Sequence, residues 1–239
     1  MNVENKNLLV VVAHPGDFVW RSAGAIAAHL AAGWNVEVVC CSLGSKGEAG
    51  ALWKQPGATL ESVAAIRLEE AHRAADVLGV QLHMLGLADY PLVLETKDTL
   101  ALAQRMRSFR PAIVLTHPPV DPGNADHVNV SACVMQARVL ATAPGYGADT
   151  ITPPNVYYFE PHQPEQSDFK ADLFLDITPV WSIKRRTFEA IASQKGVWDY
   201  YERVALQRGA QAGRRSTRPI QYAEAYSRAF PSVTELFSE

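Results

Sequence analysis

The run Leu8-Leu-Val-Val-Val12, followed by Ala13-His-Pro-Gly-Asp17, constrains the fold more than any other stretch of the chain. Five apolar residues are too few for a buried helix and suit a strand covered on both faces, as in the middle of a parallel sheet. Pro15 has no N–H to give to a ladder and Gly16 favours a turn, so the strand ends here. Open α/β sheets gather their ligands at the carboxyl ends of their strands, where His14 and Asp17 are delivered. An imidazole and a carboxylate three residues apart, fixed by a turn, can converge on one metal ion, and both suit Zn²⁺.

The following pattern repeats that plan. Trp20 to Ala32 reads as a helix stopped by Gly33, and Trp34 to Ser42 as a second buried strand reached by a right-handed crossover. Leu43 to Gly57 is a loop over the strand ends carrying Lys46, Glu48 and Lys54. Helices are expected over Leu60–Leu78, Thr96–Phe109 and Val128–Ala141, and strands over Gln81–Gly86 and Ile113–His117. Four strand–helix units predict an α/β, Rossmann-like fold: a mostly parallel sheet with helices on both faces. One domain over residues 1–239 is expected, irregular from about residue 150. In that part Asn155–Glu160 and Leu173–Ile177 read as strands and Pro179–Gln194 as a helix. Trp198 to Phe230 reads only as a polar, Arg-rich tail.

Composition narrows the function classes. A formal charge of −3 offers no excess of cations for phosphate neutralisation, which argues against a nucleic-acid binder. Three cysteines without C-x-x-C spacing indicate neither a disulfide framework nor a thiolate zinc site. No leader-like segment or membrane-length apolar stretch is evident, so a cytoplasmic chain without a membrane partner is expected.

A third metal ligand has a natural source in Asp126-His127, after the Pro/Gly/Asp loop that follows the fourth strand. His14, Asp17 and His127 would form a His₂Asp set with a position open for water, and Asp126 could orient an imidazole. Spacing alone leaves other roles open: structural histidines, and Asp126 as a helix N-cap.

Ala13-His-Pro-Gly-Asp17 resembles the AHPDD signature of the PIG-L/LmbE superfamily of zinc-dependent N-acetylglucosaminyl deacetylases and mycothiol-type amidases. Asn124-Ala-Asp-His127 is similar to its second signature, HPDH, and the likeness continues through Gly47–Gly50, Arg67–Gly79 and Asp89. The resemblance implies zinc held by His14, Asp17 and His127. Two positions depart from the deacetylase pattern. Gly16 stands where those enzymes carry the general base, and Asn124 where they carry an oxyanion-stabilising histidine. Loss of a general base removes about 10²–10⁴-fold of rate, so amide hydrolysis by the usual route is not expected.

The AHPGD variant and the Gly44–Gly50 loop (GSKGEAG) look like the 4-oxalomesaconate hydratase branch of gallate and protocatechuate breakdown, which adds water to a carbon–carbon double bond. That likeness implies a small, anionic, unsaturated keto-polycarboxylate substrate, and relatives of this kind are often homo-oligomers. Deacetylation of an amino sugar or thiol conjugate is the alternative, and a non-catalytic binding protein the third reading. For acid–base work Glu48 is the first candidate and His162 the second, since an imidazole titrates near neutrality. Lys46, Lys54, Arg67 and Asn124 are the candidate substrate contacts, with Arg offering a fork for carboxylates. His117, at a strand end, is a weaker candidate.

Overall fold

The computed structural model describes residues 5–233. Its seven-stranded sheet has the order β3-β2-β1-β4-β5-β7-β6. β1 (Asn7–Val12), β2 (Asn35–Ser42), β3 (Gln81–Leu87), β4 (Ile113–Thr116) and β5 (Asn155–Phe159) run parallel. β7 (Ala223–Arg228) pairs antiparallel with both β5 and β6 (Leu173–Asp176). The sheet is thus mostly parallel, as the apolar runs predict.

β1 shows why the fold takes this form. Leu8, Val10 and Val12 enter one core and Leu9, Val11 and Ala13 the other, the two-residue alternation of a pleated strand. Each of these side chains is buried, which stabilises the fold by about 1.5–3 kcal/mol per fully buried Val or Leu. The first core is closed by α1 (Pro15–Trp20), α2 (Ala23–Ala31), α4 (Leu60–Leu78) and α7 (Trp181–Ala190). The second is closed by α5 (Thr96–Phe109) and α6 (Ala125–Thr142). Strand order reverses between β1 and β4, which opens a crevice at their carboxyl ends. A one-turn helix, α3 (Gly50–Trp53), lies in the loop after β2.

The helix expected over Pro179–Gln194 ends at Ala190, where a 3-10 segment takes over, and two elements differ more deeply from the sequence expectation. The helix predicted over Trp20–Ala32 is two helices, broken at Arg21 and Ser22. Tertiary partners satisfy the break. Lys184 Nζ donates to the Trp20 carbonyl at 2.8 Å, and the Glu224 carboxylate accepts the N–H groups of Gly24 and Ala25, each at 2.8 Å. Lys184 also pairs with Glu224 at 2.6 Å. The tail expected to be irregular contains α8 (Trp198–Gly213) and β7. Helix α8 is buried along Tyr201, Ala205, Gly209 and Ala212, a narrow seam of mostly small residues that the surrounding charges hide from periodicity analysis. A Cβ at Gly209 would overlap the Gln221 carbonyl, so only glycine allows this approach. No described helix is long and apolar enough to cross a membrane.

Candidate metal centre

The turn after β1 becomes α1, with His14 as its N-cap and Pro15 at the first helical position. The His14 backbone N–H donates to Asp17 Oδ2 at 2.9 Å, which fixes the carboxylate one turn into the helix. From the other side of the crevice, α6 begins at Ala125 and presents His127 in its first turn. The Asn124 side chain caps α6 through the Asp126 N–H at 3.1 Å. Glu48 arrives on the loop after β2. Asp89 holds that loop by accepting the N–H groups of Lys46 and Gly47 at 2.8 and 2.9 Å.

These segments bring one ligand atom each from His14, Asp17, Glu48 and His127 within 4.8 Å of one another. His14 Nδ1 lies 3.1 Å from Glu48 and 3.5 Å from Asp17, and His127 Nε2 lies 3.4 Å from Asp17 Oδ1. Both nitrogens are buried and make no hydrogen bond of acceptable geometry. The opposite nitrogen of each ring is committed. His14 Nε2–H donates to Asp126 Oδ2 at 3.1 Å, and His127 Nδ1–H to Asp121 Oδ2 at 2.8 Å. A carboxylate behind each imidazole fixes the tautomer that leaves the inner nitrogen free as a metal ligand. The donor set therefore fits a divalent metal ion.

The charges agree with that fit. Burial disfavours a charged His14, but the Glu48, Asp126 and Asp17 carboxylates outweigh it and hold its pKa well above the ordinary value. Burial likewise opposes ionisation of Asp17, yet His127 and His117 hold it well below the carboxylate range. Asp126 is drawn down against its own burial to about 2 by His14 and by the N–H groups of Leu92 and Tyr90. A cluster that pulls protons onto its imidazoles is a cluster that attracts cations.

Above it opens a cavity of about 270 Å³. Its charged lining includes Asp17, Glu48, Asp121, His127 and Arg21, and its other side is formed by Trp20, His162, Gln194 and Tyr201. His162 Nδ1 lies 3.2 Å from the Tyr201 hydroxyl, and burial lowers its pKa from the usual imidazole value. Asn124 also lines the cavity and donates to the Tyr90 hydroxyl at 2.8 Å.

Other expected contacts sit elsewhere. Lys46 and Lys54 are exposed and line no part of this cavity: the Asp89-anchored turn that carries Glu48 inward leaves Lys46 at the surface, and Lys54 lies beyond it as the C-cap of α3. Arg67 is fully buried behind Glu48, 3.8 Å from its Oε2. It bonds the Leu43 carbonyl, Glu70, Ser193 and Gln194, so it supports the Glu48 loop from behind the cavity wall. His117 accepts the Ala13 N–H on Nε2 at 3.0 Å and stacks on His127 with centroids 4.0 Å apart.

Sequence reasoning missed Asp121, Arg21, Trp20 and Tyr201. Asp121 had a usable signal, an acid in the same Pro/Gly/Asp loop that leads to His127. Arg21 had one in its place four residues after Asp17, one helical turn away. Trp20 explains Gly16. A Cβ at position 16 would lie 2.5 Å from the Trp20 Nε1 atom and 3.0 Å from Gln194 Oε1. The indole is itself pinned, stacked on Tyr201 at 5.5 Å and edge-on to Phe188 at 5.0 Å.

Residues 9–138 match the model of the PIG-L family, described as GlcNAc-PI de-N-acetylase. The 4-oxalmesaconate hydratase of Pseudomonas putida is 46% identical over 98% of this chain and 93% of its own length. The crystal structure of GalB, the 4-carboxy-2-hydroxymuconate hydratase from Pseudomonas putida KT2440, superposes with a TM-score of 0.95 at 44% identity, covering 98% of this chain and 100% of its own. The N,N'-diacetylchitobiose deacetylase of Pyrococcus horikoshii shares the fold, with a TM-score of 0.78 at 21% identity over 94% of this chain and 84% of its own. A family model spanning more than half the chain, and a relative this similar along nearly all of it, agree with the metal-competent crevice at β1 and β4: the chain belongs to the PIG-L family.

Proposed function

We propose that this chain is a zinc-dependent hydratase that adds water across the C=C bond of 4-oxalomesaconate, giving 4-carboxy-4-hydroxy-2-oxoadipate, in the cytoplasmic breakdown of gallate and protocatechuate. The observation that carries this reading is the pairing of Gly16 with Trp20. The indole occupies the space that the deacetylase pattern gives to its base, while the His, Asp and Glu cluster is retained. The likeness to the Pseudomonas putida hydratase along 98% of the chain, in sequence and in structure, supports the same choice.

His14, Asp17 and His127 would hold the metal, with Asp126 and Asp121 orienting the two imidazoles. Two histidines with one carboxylate and an open position suit zinc. The bound ion would supply Lewis acidity to the carbonyl and carboxylate oxygens of a keto acid. The residues of the chain handle the protons. Glu48 is held below the ordinary carboxylate range by His14 and Arg67 despite its burial, so it stands ionised and takes a proton from the attacking water. Hydroxide oxygen bonds to one alkene carbon as the π bond opens, and the neighbouring carbon takes a proton from the protonated fraction of His162, held by Tyr201, which the proton gained by Glu48 then restores. Proton uptake and release balance over the turnover. The apolar faces of Trp20 and Tyr201 limit the water that reaches the enolate.

An ultraviolet assay of lost conjugation, run beside an assay for free acetate, tests the reading. Loss of conjugation without acetate is expected. Acetate release from an N-acetylated sugar or thiol conjugate, with no hydration, would replace it with the deacetylase reading.

A further inference from the structure

Arg21 follows α1 at the break before α2, and its side chain borders the cavity 3.3 Å from Asp17 and 3.9 Å from Asp121. The residue is 7% exposed, yet its guanidinium makes a single long hydrogen bond, to the Glu160 carbonyl at 3.5 Å, and Nε, though ion-paired with Asp17 Oδ1, makes no hydrogen bond of acceptable geometry. Other buried guanidinium groups are used more fully. Arg107 bonds three backbone carbonyls at 2.6–2.8 Å, and Arg67 makes the four bonds described above. Arginine carries five N–H donors in a planar fork, and leaving most of them idle in a buried place is costly unless a ligand takes them. Arg21 is also the one lysine or arginine on the cavity wall among the described residues, facing the carboxylates Asp17, Glu48 and Asp121. That wall would repel a polyanion unless a cation received part of its charge.

We infer that Arg21 receives one carboxylate of the substrate through paired N–H···O bonds, and thereby selects a polycarboxylate over a mono-acid. The inference rests on the proposed hydratase reading for the chemistry of its substrate. It assigns specificity to a residue of the α1–α2 break instead of the loop lysines.

The test compares the metal-loaded full chain with R21Q and R21K in two measurements. Calorimetry with propane-1,2,3-tricarboxylate reads carboxylate binding without turnover, and initial rates with 4-oxalomesaconate read KM and kcat separately. R21Q is expected to keep its metal and to bind the tricarboxylate about ten- to a hundredfold more weakly. KM should rise by a similar factor while kcat changes far less, and R21K should fall between because it keeps charge without the fork. If R21Q does not fold, R21K alone must show the weaker binding and raised KM. Loss of metal in the folded variant, a fall in kcat at constant KM, or tricarboxylate binding that is undiminished or absent from the wild type overturns the inference, leaving Arg21 as a positioning residue for Asp17. Tricarboxylate binding that depends on Arg21, in a wild type that hydrates nothing, keeps the inference and discards the hydratase reading.

Discussion

One wall of the cavity comes from the turns after β1, β2 and β4, the other from the end of α1, the segment between β5 and α8, and the first turn of α8. The first is dense in charge, and its ring nitrogens and carboxylates are cross-braced: Asp126 behind His14, Asp121 behind His127, Arg67 behind Glu48. The second is mostly aromatic and amide, with Trp20, Tyr201, His162 and Gln194. The charged wall lies within residues 9–138, the span that the family model matches, while His162, Gln194 and Tyr201 lie beyond it. The division separates two tasks. One wall offers the ligands for a cation, a demand that leaves little freedom; the other gives the space in front of it its shape.

Replacing His14 or His127 by alanine should break the charged wall outright, with stoichiometric metal and measurable turnover lost together; elemental analysis beside the rate assay checks this. A chelator should do the same reversibly, with activity restored by added Zn²⁺. Glu48→Gln tests whether the two tasks part within one wall: metal content should stay at the wild-type level while kcat falls about 10²–10⁴-fold. His162→Ala should also keep its metal and lose rate, so metal loss in that variant would break the comparison. Asp121→Asn and Asp126→Asn should each weaken metal affinity about 10–100-fold, read by competition with a chromogenic chelator. The smallest effect is expected in the aromatic wall. Gly16→Asp should cost about 1–3 kcal/mol in a denaturant melt by pushing on Trp20, without acquiring deacetylase activity. Adding Trp20→Ala should recover part of that loss, which makes the pair non-additive.

Much of the charged wall was legible in the sequence because local rules fix it. A buried strand followed by Pro-Gly places His14 and Asp17, and the loop after β4 delivers His127 into the first turn of a helix. Glu48 was legible from its glycine-flanked loop after β2, whereas Lys46 and Lys54, on the same segment, are exposed and away from the cavity. The aromatic wall was not legible. Tyr201 belongs to α8, whose buried face is built from small residues among charges and lacks a helical apolar stripe. Trp20 and Arg21 read as the start of one helix, since nothing near them in the chain announces the break. The groups that stabilise that break, Lys184 and Glu224, sit 164 and 200 residues from the atoms they bond.

That last separation bears on how the molecule is made. The bend that carries Arg21 is fastened by a carboxylate on β7, close to the end of the described chain. A polypeptide emerging from the ribosome can lay down its first strands and gather its histidines long before this fastening exists. The corner beside the candidate metal centre therefore acquires its final form only when β7 slots between β5 and β6.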